Sequence, residues 1–131
     1  MRDITKTITM TIAGKNYIFR ITKLDAFSGA SLLRLLARNT PENDGEDFFT
    51  SVFSSLSEEE LRALMTTCLS NAEVKLDAGY QPVMQEGEWS WSELEYDAVN
   101  ALHLTLKVIL WTLEGFFPES GSSSEPGRPA T

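Results

Sequence analysis

The sequence holds one histidine and one cysteine, His103 and Cys68, which narrows the chemistry open to it. Cys68 falls on a stripe with Leu61, Leu64, Met65 and Leu69 at helical spacing, a setting that raises a thiol's pKa and keeps it inert. His103 lies beside Leu102 and Leu104 and reads as a helix-face residue bonded to a neighbour rather than as a general base. The acidic run Glu42-Asn43-Asp44-Gly45-Glu46-Asp47 invites a calcium loop. With Gly45 at the turn glycine, however, the first and last ligand positions fall on Thr40 and Ser51, where Asp and Glu are needed. A solvated loop that favours the N-terminus of the next helix fits better. Gly14-Lys15 sits in a hairpin turn and not before a helix, so it is no phosphate cradle. No catalytic residue, cofactor or metal is expected, and the protein is expected not to be an enzyme.

The 131 residues, at 14.6 kDa, suit one domain with one core. With 11 basic against 19 acidic side chains the formal charge is −8, which argues against nucleic acid as a partner. The single cysteine excludes an intrachain disulfide. The opening Met1-Arg2-Asp3-Ile4-Thr5-Lys6 lacks the apolar run of a signal peptide. Ala98 to Leu113 is apolar but too short, and too interrupted by Asn100, His103 and Lys107, to span a bilayer. No membrane partner is expected, and the cytoplasm is the expected location.

The elements that would carry any site divide into an α+β arrangement. Ile8, Met10 and Ile12 alternate with threonine, and Tyr17, Phe19 and Ile21 alternate after Ala13-Gly14-Lys15-Asn16, which predicts a β-hairpin over 3–22 with one buried face. A mainly helical body of about four helices follows over 25–117, in a single domain over 1–117. Asp25 caps a helix to about Arg38, and Phe48 to about Ser55 forms a second. Ser57-Glu58-Glu59-Glu60 is a capping box for a third helix that reaches about Asn71. Residues 73–88 fit either two short strands or an ordered loop. Ser92-Glu93-Leu94-Glu95 is read as a second capping box, with Trp91 and Tyr96 as its staple, and predicts one long helix from about Trp91 to Phe116. The Ser, Gly and Pro-rich residues 118–131 are expected to be a disordered tail. Charge follows the same division: residues 1–23 hold five basic groups and one acidic, net +4, and the remainder carries −12. The hairpin is therefore expected to dock electrostatically on its own body or on a neighbouring subunit.

Two segments look like interaction surfaces. On the last helix Val99, Leu102, Leu106, Ile109, Leu110 and Leu113 form one face, while Leu104, Val108 and Trp111 lie on another. A helix apolar all round is covered all round: either it is wrapped by the other helices, or Leu104, Val108 and Trp111 meet a second chain. The second segment, Glu86 to Asp97, sets Trp89, Trp91 and Tyr96 among carboxylates. Aromatic residues favour binding hot spots, and with Trp91 and Tyr96 occupied in capping, Trp89 is the candidate there.

A threonine-rich hairpin with a glycine turn, then Leu24-Asp25-Ala26-Phe27 opening a leucine-rich helix, then an acidic helical remainder, resembles the tail assembly chaperones of long-tailed bacteriophages and prophages. The resemblance covers about residues 4 to 117. It implies a protein that binds the tape-measure protein in the bacterial host cytoplasm, keeps its apolar helices soluble during tail-tube assembly, and can self-associate. It also implies that a longer product can arise by translational slippage, for which Gly115-Phe116-Phe117 is a candidate site. The competing expectation is an acidic decoy or inhibitor that engages a basic host protein.

Overall fold

Threonine and apolar residues alternate along β1 (Thr5–Ile12), and β2 (Lys15–Thr22) repeats the period. The computed structural model describes residues 4–38 and 48–114, the side chains of 48–51 excepted. The two strands pair antiparallel over their whole length, from Thr5↔Thr22 to Ile12↔Lys15. Ala13 and Gly14 join them, both with positive φ, 54° and 81°. That is the backbone of a two-residue turn whose twist matches the strands. Met10, Ile12, Phe19 and Ile21 are buried on one face, and the β1 threonines line the other.

The segment left open between strands and loop folds as strands. β3 (Ala72–Leu76) pairs with β2, and β4 (Gly79–Pro82) pairs with β3, giving a four-stranded antiparallel sheet in the order β1-β2-β3-β4. The short β5 (Met84–Gln85) and β6 (Glu88–Trp89) form a second ribbon. Val83 ties the two together: its N–H donates to the Ala72 carbonyl at 3.0 Å, and its own carbonyl accepts from Ser90 at 2.9 Å. The fold is mixed α and β as expected, but the hairpin does not stand apart from the body. Later strands complete its sheet.

Helix α1 (Ala26–Arg38) starts where Asp25 accepts from the Ser28 amide at 3.0 Å. Helix α2 (Phe48–Ser55) is followed by α3 (Glu58–Leu69), whose capping box is complete. Ser57 Oγ accepts from the Glu60 amide, and Glu60 Oε1 accepts from the Ser57 amide, both at 3.0 Å. The long helix expected from Trp91 is instead two. The single turn α4 (Ser92–Glu95) ends at Tyr96, and α5 (Ala98–Thr112) starts afresh with Asp97 Oδ1 accepting from the Asn100 amide at 3.2 Å. Ser92 caps nothing: the N-cap is Trp91, with no side-chain bond, and Tyr96 is 86% exposed rather than a staple. Trp91 is buried, its ring edge-on to Tyr17 at 4.9 Å and to Phe19 at 5.8 Å. The expected helix end at Phe116, the slippage site, the acidic loop at 42–47 and the tail at 118–131 lie outside the described residues.

Helix α5 touches β2, α3 and α4. Phe19, Ile21, Leu69, Val74, Leu94 and Leu104 meet in the core around it. Two polar groups on its buried side are both satisfied: Thr105 Oγ1 donates to the Ala101 carbonyl at 2.8 Å, and Thr112 Oγ1 accepts from the Leu24 amide at 3.1 Å. A buried polar group without a partner would cost about 1–3 kcal/mol.

Candidate protein-binding surface

The two faces of α5 do not divide as the partner assignment required. Leu104 and Val108, expected to meet a second chain, are 0% exposed and belong to the chain's own core. The sheet and α3 cover them, so neither is available to a partner. Each contributes about 1.5–3 kcal/mol by its burial. The face that looked like ordinary core is split: Ile109 and Leu113 are buried, whereas Val99 is 65% exposed and Leu110 46%, with Leu102 and Leu106 half-buried between them. These positions recur at intervals of three and four, so they form one stripe, about 16 Å long from the helical rise. Exposed His103 and Lys107 flank it.

Trp111 is half-buried at the edge of this stripe and is engaged within the chain. Its Nε1 donates to the Ile4 carbonyl at 2.9 Å, while the ammonium groups of Lys23 and Lys6 lie 4.6 and 5.3 Å from its ring centre. It therefore braces the start of β1 against the end of α5. Trp89 is also half-buried: it pairs across the small ribbon with Met84 and lines a groove with Leu61 and Met65 of α3. The structure thus disperses Leu104, Val108, Trp111 and Trp89 over core, brace and ribbon rather than assembling them. Val99, Leu102, Leu106 and Leu110 form an apolar stripe that stays open, and Phe27 on α1 is exposed as well.

A second apolar groove, about 310 Å³, runs between α1 and α3. Leu32, Leu35, Ala63 and Leu64 line it, and the ion pair between Arg38 and Glu60 closes one end. Elsewhere the titratable groups have local structural explanations. Hydrogen bonds from the Ser28 side chain and amide hold the Asp25 carboxyl below its usual range, and those from Asn100 do the same for Asp97. Burial pushes the Cys68 thiol up to about 12, which leaves it protonated at neutral pH. No three metal-ligating side chains cluster among the described residues. None of the described helices is long and apolar enough to cross a membrane.

The molecule so described is an α+β domain with a half-open apolar helix face on an acidic chain. No family model, curated protein or solved structure matches the sequence.

Proposed function

We propose that the protein is a non-enzymatic tail assembly chaperone of the phage type, which binds the tape-measure protein in the cytoplasm and keeps its apolar helices in solution while the tail tube is built. The observation that carries this reading is the stripe Val99, Leu102, Leu106 and Leu110 on α5. Its three-and-four spacing suits the ridge of a second amphipathic helix. Each large side chain so covered contributes up to about 1.5–3 kcal/mol, enough for a hold that can be released when the client is handed on. The net charge of −8 would keep the complex dispersed while its apolar parts are shielded. The resemblance of residues 4 to 117 to tail assembly chaperones supplies the client, and the stripe supplies a place for it.

Co-expression with the tape-measure protein tests this. Wild type is expected to hold the client in the soluble fraction and to keep it through a high-salt wash, because apolar contact is not screened. The double variant Val99→Glu with Leu106→Gln changes the open side of α5 and is expected to keep the wild-type circular dichroism and lose the client. If the folded double variant retains the client as wild type does, the stripe is not the binding surface. Binding to a basic protein that collapses as salt is raised would favour the acidic decoy instead.

A further inference from the structure

The turn between β1 and β2 determines which backbone groups of β1 are used within the chain. Ile12 and Lys15 flank a two-residue turn, and such a hairpin closes on a hydrogen-bonded pair. Every second residue back along the strand, Met10, Ile8 and Lys6, therefore also turns its N–H and C=O toward β2. Ile4 continues the series, its carbonyl accepting from the Lys23 amide at 2.8 Å. The N–H and C=O groups of Thr5, Thr7, Thr9 and Thr11 point the other way. β1 is an end strand, these threonines are exposed, and no described strand lies beside them.

The two edges of the sheet are unlike. β4 is short and ends at Pro82, which cannot donate to a further strand. β1 is long, pairs without a bulge, and carries Lys6 as its one charge. A long bare edge is a template for another strand, and the order of residues says which strand fits. About Ile8 the threonines are palindromic: Thr7 mirrors Thr9, and Thr5 mirrors Thr11. A two-fold axis at Ile8 sets threonine against threonine on the outer face. On the core face it sets Lys6 against Met10 and Ile8 against its own copy. No like charges then face each other, and the buried faces of both sheets stay on one side.

We propose that a second copy of this chain pairs with β1 antiparallel, about a two-fold axis at Ile8, to make one continuous sheet from two four-stranded ones. All the outward groups from Thr5 to Thr11 are then used, in about eight hydrogen bonds. Below the edge, Lys6, half-buried Ile8, Leu110 and Trp111 line a hollow, and the second Ile8 arrives beside it. The interface is isologous and closes on itself, so it gives a dimer and not a filament. It does not depend on the identity of any client.

Light scattering coupled to size exclusion should return twice the chain mass of 14.6 kDa. Thr9→Pro removes an outward donor and leaves the β1–β2 ladder intact. It is expected to halve that mass at unchanged circular dichroism. Should this variant fail to fold, two cysteine variants decide. Ile8→Cys places thiols across the axis and should give a disulfide-linked dimer under mild oxidation. Thr11→Cys, whose copies stand about 20 Å apart, should not, and buried Cys68 does not compete. A strictly monomeric wild type, or Thr11→Cys linking as readily as Ile8→Cys, overturns the pairing. A monomer that still holds the tape-measure protein overturns the pairing alone and leaves the chaperone reading standing.

Discussion

Thr112 holds together three parts of the molecule. Its hydroxyl accepts the Leu24 amide at 3.1 Å, where the chain leaves β2 for α1, and its methyl lies 3.8 Å from the position a Cβ would take on Gly29. Thr112→Val keeps the shape and removes the acceptor, leaving a buried N–H unpaired. It is expected to cost about 1–3 kcal/mol in urea unfolding, and a loss well under that would mean that Leu24 finds another partner. Thr105, Thr112 and small Ala101 also explain why the core side of α5 was hard to read from the sequence. Two hydroxyls and a methyl occupy positions on the buried arc, whereas Val99, Leu102, Leu106 and Leu110 on the open arc are uniformly large and apolar. Residue-by-residue hydrophobicity does not separate the arcs, because Leu104, Val108 and Ile109 share the buried one with threonines whose satisfied hydrogen bonds let them be buried cheaply.

At the scale of elements, the two Ser-x-x-Glu patterns separate on what precedes them. Ser57 follows half-buried Leu56 and is free to take the extended backbone of an N-cap, φ −68° and ψ 163°. At the second pattern Trp91 takes that place, φ −120° and ψ 109°, because its ring is anchored against Tyr17 and Phe19. Ser92 is thereby pushed into the helix, where its hydroxyl caps nothing. Ser57→Ala is therefore expected to cost about 0.5–2 kcal/mol and Ser92→Ala close to nothing, read by thermal or urea unfolding. Equal losses would contradict the cap assignment. The hairpin, the Asp25 cap and the Ser57 box were legible because local periodicity and side-chain reach decide them. The pairing of β3 with β2 was not, since it joins residues far apart in sequence, such as Phe19 and Val74, and no local pattern encodes that choice. Asp97 with Asn100 was a readable start signal for α5, obscured by the apparent box just before it.

For the whole molecule, the contrast between a +4 hairpin and a −12 remainder contributes less to docking than the averages suggest. One ion pair joins the hairpin to the body among the described residues, Arg20 to Glu73 at 2.6 Å, with Arg20 also 4.0 Å from the centre of the Tyr80 ring. Both charged side chains are part-exposed, so the pair contributes about 0–1 kcal/mol. Lys6 and Lys23 lie over Trp111 rather than beside carboxylates. The hairpin is held by its ladder to β3 and by Phe19 and Ile21 in the core, and the outward edge of β1 and one side of α5 stay exposed. The proposed binding of the tape-measure protein to the open side of α5 can be read with a photo-reactive residue. Placed at Val99 during co-expression, it should form an adduct with the client, while the same residue at Tyr80, on the outer face of the sheet, should not. Adducts from Tyr80 with none from Val99 would mean that the client binds elsewhere than on α5.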